Sequence, residues 1–443
     1  MTSLNTFFTN LMKKYLPDSF TIAILLTILT GMLAMILQKT SFVDTTKYWG
    51  SGFWDLLAFT TQMAVILAAG YVLAKTPIVD KILNGIVAKV NSPKQAYIIA
   101  TLAGGIGSLI NWGFGLIVGG IVANKLAKNI KGIHYPLIIA AGYSGFSLYG
   151  LGISGTVPVL ISTPGHFLEE AMGIIPLTET IFSLPLLLTT LAVLITLPLL
   201  NAFLHPKDPS KIIEVEPEDE EENLLALTED EKEDTIANKL NQSKWIGYLI
   251  GGLGLFYVFL HFKDGGSLDL NIVNFAFLFL GILLLGAPIY YIKLLNDGIK
   301  TVSGIILQYP FYAGIMGILV GSGLVVTFSN WFVSFASAES LPFFSLISAW
   351  FINILAPSAG GQWAVQGPIM IEAANALQAP FEKVAMGVMI GDAWNNMVQP
   401  FWILPVLAIS GLKLKDVMGY MVIIMLWLGL VFGASFLIWG YLL

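Results

Sequence analysis

The run GDAWNNMVQP, residues 391–400, sets a carboxylate, two asparagines and a glutamine inside the apolar stretch 381–410. A carboxylate at the centre of a bilayer costs about 2.5–3.5 kcal/mol on insertion scales, so it marks an ion or substrate path by default. Asp392 is therefore the leading candidate to carry a proton or hold a cation, with Asn395, Asn396 and Gln399 as polar partners. Glu372, in the apolar run PIMIEAANAL, is a second ion-coupling candidate.

Two further clusters interrupt apolar sequence. NWGFG, 111–115, offers Asn111, Trp112, Gly113 and Gly115; PSAGGQ, 357–362, offers Ser358, Gly360, Gly361 and Gln362. Glycine lets backbone groups approach a ligand closely, and helix N-termini bring free N–H groups and partial positive charge. These residues are candidates for contact with an anionic ligand, and the two turns for a sodium site. The stretch GYSGFSLYGLGISGT, 142–156, adds Ser144, Ser147, Ser154 and Thr156 as binding candidates. Such serines compete with a plainer role, bonding their own backbone. Trp112 and Trp363 would wall the apolar part of a ligand. In HFLEE, His166 is a candidate cap or gate; with four histidines in the chain and no second one nearby, it is no zinc site.

Positioning these groups requires a membrane scaffold. The 443 residues are 56% hydrophobic and 11% charged, against about 25% charged in soluble domains. Apolar runs long enough to span are 17–38, 53–74, 177–203, 245–262, 271–292, 301–329 and 417–441. The first begins at the end of MTSLNTFFTNLMKKYLPDSF, residues 1–20, and no small-residue cleavage site comes after it, which reads as a span and not a cleaved leader. There are no cysteines, hence no thiolate chemistry. Thirteen of the 28 acidic residues fall in 208–234, a block that cannot bury enough apolar surface to fold alone.

The polar interruptions recur in one order. An apolar arm enters, turns at NWGFG and returns over 95–130; a broken helix follows at 134–160. A 15-residue arm rises only about 22 Å, short of the roughly 30 Å hydrocarbon core, so it must leave on the side it entered. The same plan repeats as hairpin 343–379 and broken helix 381–410, and both breaks run into Pro-Val-Leu, at 158–160 and 405–407. The division expected is a first repeat, 1–203, an acidic linker, 204–244, an extra span, 245–262, and a second repeat, 263–443. With the N-terminus and linker cytoplasmic, 18 of the 22 lysines fall inside; only Lys39, Lys47, Lys263 and Lys383 fall outside. That obeys the positive-inside rule, inverts the second repeat and ends the chain outside. The expected fold is an all-α polytopic membrane protein of two inverted repeats. Irregular backbone at membrane depth survives only against protein or a water-filled cavity, the arrangement of secondary transporters.

GISGTVPVLISTPGH, 152–166, and APSAGGQWAVQGP, 356–368, resemble the short-chain fatty acid transporter family, the acetoacetate and butyrate permeases, and the likeness extends over nearly the whole chain. The resemblance implies membership of the ion transporter superfamily, a scaffold domain with an elevator-like transport domain, a homodimer, and a bacterial inner-membrane location. The dicarboxylate branch of that superfamily carries Ser-Asn-Thr at its hairpin tips, where this chain has Asn111-Trp112-Gly113 and Ser358-Ala359-Gly360.

All basic residues are lysine, and none lies at the tips or breaks. Without a guanidinium fork, a carboxylate must be held by N–H groups, amides, hydroxyls or a bound cation, which suits one carboxylate better than two. The expected function is secondary transport of short-chain monocarboxylates, coupled to H⁺ or Na⁺, with no other cofactor and no nucleic-acid partner; lipid surrounds it. The nearest alternative is a sodium-coupled dicarboxylate carrier. An intramembrane hydrolase or acyltransferase would need a base within reach of a serine, and no histidine falls in the interior of a span. A channel fits two closed tips poorly.

Overall fold

An uncharged apolar run in lipid has one local solution, since only a helix satisfies its backbone within the segment. The computed structural model describes residues 17, 19–215, 225–354, 356–399 and 401–442, and its regular elements there are all helical. The N-terminal residues with Lys13 and Lys14, residues 216–224 of the acidic block, and Pro400 in the second break lie outside the described residues. Seven helices among those described are long and apolar enough to cross a membrane. Leu184–Phe203 shows how: Leu187, Leu188, Leu191, Ile195 and Leu199 are exposed, while Val193, Leu197 and Asn201 are buried.

Two of the expected long runs are interrupted. The stretch 271–292 stops being one helix at Leu285: Gly286 takes a φ of 73°, open to glycine at little cost, and Pro288 starts a separate helix, Pro288–Gly298. In the same way 301–329 divides into Ser303–Ser322 and Leu324–Val333 around Gly323, whose φ is 82°.

The polar stretches are built from α-helices of 6 to 19 residues joined at turns, and the arms of the first hairpin are 18 residues each, longer than the 15 expected. Pro93–Ile110 and Trp112–Asn129 pack against each other around Asn111. Leu341–Ile352 and Ala359–Leu377 flank the second turn. The first break joins helix Tyr135–Ser144, a 3₁₀ turn Gly145–Leu151 and helix Thr156–Ile161; the second lies between Phe381–Asn395 and Leu404–Ser410. Both hairpins and both breaks sit mostly in the buried interior, with Leu184–Phe203 and Leu414–Tyr441 against them. A second group, including Ser19–Leu37, Leu57–Ala74, Lys244–Lys263, Leu270–Leu285 and Ser303–Ser322, packs around one side of these.

The acidic linker is pinned where it is described. Tyr135 N donates to Ile213 O at 2.7 Å, and Ile213 N donates to His134 Nδ1 at 3.0 Å. At the other end Lys293 pairs with Glu231 at 2.6 Å.

Candidate substrate and ion site

The two turns use one local device. Asn111 and Ser358 are both extended, at φ −149° and −157°, and each caps the helix that returns. Asn111 Oδ1 accepts from Phe114 N at 2.9 Å, and Ser358 Oγ accepts from Gly361 N at 3.5 Å. A cap of this kind is worth about 1 kcal/mol. Their polar atoms are spent further: Asn111 Nδ2 donates to Ile66 O at 3.3 Å, and Ser358 shares a 2.7 Å hydrogen bond with the Tyr309 hydroxyl.

The first half is largely self-satisfied. Trp112 N donates to Ser154 Oγ at 2.9 Å, tying the first tip to the first break. Ser144 Oγ donates to Ala141 O at 2.8 Å and accepts from Asn201 Nδ2 at 2.9 Å, the backbone-bonding role weighed above. A Cβ on Gly113 would press on the Leu67 backbone, and one on Gly115 would stand 2.1 Å from Ser108 N, so the arms meet only because glycine is there. Thr156 is buried at the start of its short helix. Ser147 is fully buried and its hydroxyl has no hydrogen-bond partner among the described residues.

In the second half, polar groups converge on Asp392, which is wholly buried. Its Oδ1 accepts from Asn353 Nδ2; its Oδ2 accepts from the Tyr149 hydroxyl and, at 2.9 Å, from Asn396 Nδ2. Asn353 Nδ2 also donates to Gln362 Oε1 at 3.2 Å. Gln362 Nε2 then donates to Ala349 O at 3.0 Å and to Gln366 Oε1 at 2.9 Å, and Gln366 reaches Ser348 at 2.9 Å. One network thus runs from the first break through Asp392 to the second hairpin. Leaving a buried polar atom unmade costs about 1–3 kcal/mol. The Oδ1 atoms of Asn353, Asn395 and Asn396 are buried without a donor among the described residues.

Other candidates stand apart from this network. Asn395 Nδ2 donates to Trp350 O, and Gln399 Oε1 accepts from Phe401 N at 2.8 Å in a local turn. Glu372 is exposed on the return arm, ten residues beyond Gln362, a rise of about 15 Å. His166 Nε2 bonds Gly173 O at 3.0 Å and its Nδ1 accepts from Leu168 N, so it knits its own loop; burial pushes the imidazole below its ordinary range. Gly360 and Gly361 pack beneath the rings of Phe59 and Tyr312, and Trp363 is fully buried beside Gly367.

A cavity of about 500 Å³ opens between the two groups of helices, lined by Leu67, Tyr71, Leu116, Lys300, Gln308, Phe401 and Trp402 among others. Trp402 continues inward into an aromatic row: its ring lies 5.4 Å from Trp112 and 6.1 Å from Phe146, which stacks on Tyr149 at 4.7 Å. Aromatic and aliphatic surface therefore leads from the cavity to the residue that contacts Asp392.

Sequence reasoning missed Tyr149, Asn353, Tyr309 and Gln366. Asn353 carried a signal, an amide at the end of the apolar arm FFSLISAWFINIL. Tyr149 lay within the first break and reads as ordinary packing. Tyr309 and Gln366 gave no signal apart from the company of their helices.

The whole chain can be set beside known proteins. Residues 1–439 match the family model described as short chain fatty acid transporter. A protein of Escherichia coli (strain K12) is 36% identical over 97% of this chain and 98% of its own length. One from Haemophilus influenzae (strain ATCC 51907 / DSM 11121 / KW20 / Rd) is 39% identical over 94% and 95%. Both carry the provisional name of short-chain fatty acid transporter.

The chain belongs to the short-chain fatty acid transporter family.

Members of this family are transporters and not enzymes, which sets aside the hydrolase and acyltransferase alternatives. The family's fold has a solved counterpart. The YdaH transporter of Alcanivorax borkumensis superposes with a TM-score of 0.62 over 96% of this chain and 98% of that one, at 14% identity. At that identity the likeness is one of fold alone.

Proposed function

We propose that this protein is a secondary active transporter of short-chain monocarboxylates such as butyrate and acetoacetate, coupled to a cation gradient, H⁺ or Na⁺, through Asp392. The observation that carries the reading is the network in which Asp392 accepts from Tyr149 of the first break and Asn353 of the second hairpin. A buried carboxylate tied to both halves can sense its occupant and bias the arrangement of the hairpins around it. The substrate class rests on the family, and on a chain whose only basic residues besides four histidines are lysines. With no arginine, one carboxylate is held by N–H, amide and hydroxyl groups. Its alkyl part meets Trp402, Phe401 and Leu116, each buried CH₂ contributing about 0.8 kcal/mol.

Alternating access follows from the repeated order of hairpin, broken helix and terminal helix. In this reading the halves are inverted repeats and the hairpins are re-entrant. The hairpins and breaks form the moving body, and the helices on the far side of the cavity form the scaffold of a homodimer. Glycine packing within the first hairpin supports a body that moves as a unit, because arms at such close contact cannot slide independently.

The test is uptake of labelled butyrate into proteoliposomes containing the purified protein, with pH and sodium gradients imposed separately. Saturable uptake above the external concentration under one of them supports the reading. Uptake that merely equilibrates under both returns the protein to facilitated diffusion or a channel.

A further inference from the structure

We infer that Lys300 anchors a carboxylate-capture site at the mouth of the large cavity, where a short-chain monocarboxylate pauses with its charged end outward and its alkyl end inward. The inference rests on the transport reading above and adds to it a binding position outside the tips and breaks.

The cavity is graded from polar to apolar. Leu67, Leu116, Ile117 and Trp402 in its lining are buried, whereas Ser303 and Lys300 are exposed, the Lys300 side chain to 75%. Among the described residues that line it, Lys300 is the one charged side chain. Its volume, about 500 Å³, is ample for a small ligand. A short monocarboxylate carries the same gradation, one charge at one end and an alkyl chain at the other. With the N-terminus cytoplasmic, this mouth faces the cytoplasm.

The fold fixes the place of the lysine and leaves its charge available. Lys300 sits in the 3₁₀ turn Ile299–Thr301, between helices Pro288–Gly298 and Ser303–Ser322. A Cβ on Gly298 would stand 2.9 Å from Tyr71 Cδ1, so the chain entering the turn is seated against that ring. The neighbouring hydroxyls are spent on the turn itself: Thr301 Oγ1 donates to Gly298 O at 2.7 Å, and Ser303 Oγ donates to Lys300 O at 3.3 Å. Lys300 pairs with Asp297 at 2.9 Å. A pair with so exposed a lysine contributes little, and Asp297 keeps a second donor, the Tyr71 hydroxyl. An ammonium on a flexible four-carbon stem can therefore turn to a ligand without disturbing the turn. Lys75 Nζ lies 6.0 Å from the centre of the Tyr71 ring, a second cation at the same place. Lys75 and Lys300 against Asp297 leave one positive charge in excess, the countercharge for one carboxylate.

The experiment uses the purified full-length protein in neutral detergent with phosphatidylcholine, carrying Ser303→Cys as its single cysteine. Modification of that thiol by a neutral methanethiosulfonate is timed in rising concentrations of butyrate. Butyrate should slow it saturably, while butyramide, with the same alkyl chain and no charge, should not. Lys300→Gln should raise the half-protecting butyrate concentration about threefold to fivefold, and Lys300→Arg should restore it. With Lys300 in place that concentration should also rise with added salt. The butyramide and salt comparisons decide the question if Lys300→Gln fails to fold. Equal protection by butyrate and butyramide, or an unchanged value in Lys300→Gln, overturns the capture site. Protection by added phosphatidylglycerol and none by butyrate gives the cation to a lipid headgroup and overturns it as well. Butyrate uptake by the natural chain in proteoliposomes separates this inference from the reading beneath it. Uptake that persists when protection fails leaves the transport reading intact, and absence of uptake overturns that reading itself.

Discussion

Tyr149 and Asp392 stand 243 residues apart and are joined by a hydrogen bond inside the protein, the phenol donating to carboxylate Oδ2. The Tyr149 ring is fixed by stacking on Phe146 at 4.7 Å with the planes 4° apart, so the hydroxyl is delivered from a rigid support. Tyr149→Phe keeps that stack and removes only the donor. Loss of a hydrogen bond to a buried charged group costs about 1.5–3 kcal/mol. The variant should fold and insert, and its accumulation of butyrate should need a steeper driving gradient. Wild-type dependence on the driving cation would remove Tyr149 from the coupling machinery.

Asp392→Asn keeps the size and the hydrogen-bonding reach of the side chain and removes its charge. The expected outcome is normal insertion with gradient-driven accumulation lost. The measurement is the steady-state ratio of internal to external butyrate in proteoliposomes under an imposed gradient. A ratio equal to that of wild type would leave Asp392 as a structural anchor of the second break.

Gly115→Ala tests the close approach within the first hairpin. The new methyl carbon would stand 2.1 Å from Ser108 N and 2.3 Å from Ser108 Oγ, and the backbone atom cannot yield as a flexible side chain does. Overpacking of this order costs about 1–3 kcal/mol, occasionally more. The variant should unfold several degrees lower and transport poorly. Gly85→Ala, at a site with open space around its Cβ, is the matched control and should behave as wild type.

Much of the architecture was legible in the sequence, because lipid leaves an apolar run few choices. The turns at Asn111 and Ser358 declared themselves through polarity and glycine in apolar surroundings. The splits at Gly286 and Gly323 did not, since a lone glycine is tolerated in a helix and its positive φ is decided by what packs around it. Within the site, Asp392, Asn396 and Gln362 were readable as polar groups at membrane depth. Tyr149 was not, because a tyrosine among glycines and serines has the same local signature whether it packs or donates. Its place in the network comes from a contact between residues far apart in the chain, and no local pattern encodes that. Glu372 looked like Asp392 in sequence yet lies on an exposed face, a difference of helical phase that single residues do not reveal.

Sidedness can be read with single cysteines, because the natural chain has none. Lys131, after the first hairpin, and Glu339, before the second, are both exposed. Lys131→Cys should label only from the cytoplasmic side and Glu339→Cys only from outside, using an impermeant maleimide on intact cells and inverted vesicles. Labelling of both from one side would contradict the inverted arrangement.

The central claim is that the substrate is a short monocarboxylate, and competition tests it most directly. Labelled butyrate uptake is measured in proteoliposomes with equal concentrations of unlabelled acetate, butyrate, acetoacetate, succinate and citrate outside. A site with no arginine and an apolar wall of Trp402, Phe401 and Leu116 accommodates one carboxylate and rewards added CH₂ groups. Butyrate and acetoacetate should therefore compete strongly and acetate more weakly, while succinate and citrate should leave uptake unchanged. No saturable uptake of labelled butyrate, with labelled succinate accumulated instead, would contradict the account and make this protein a dicarboxylate carrier.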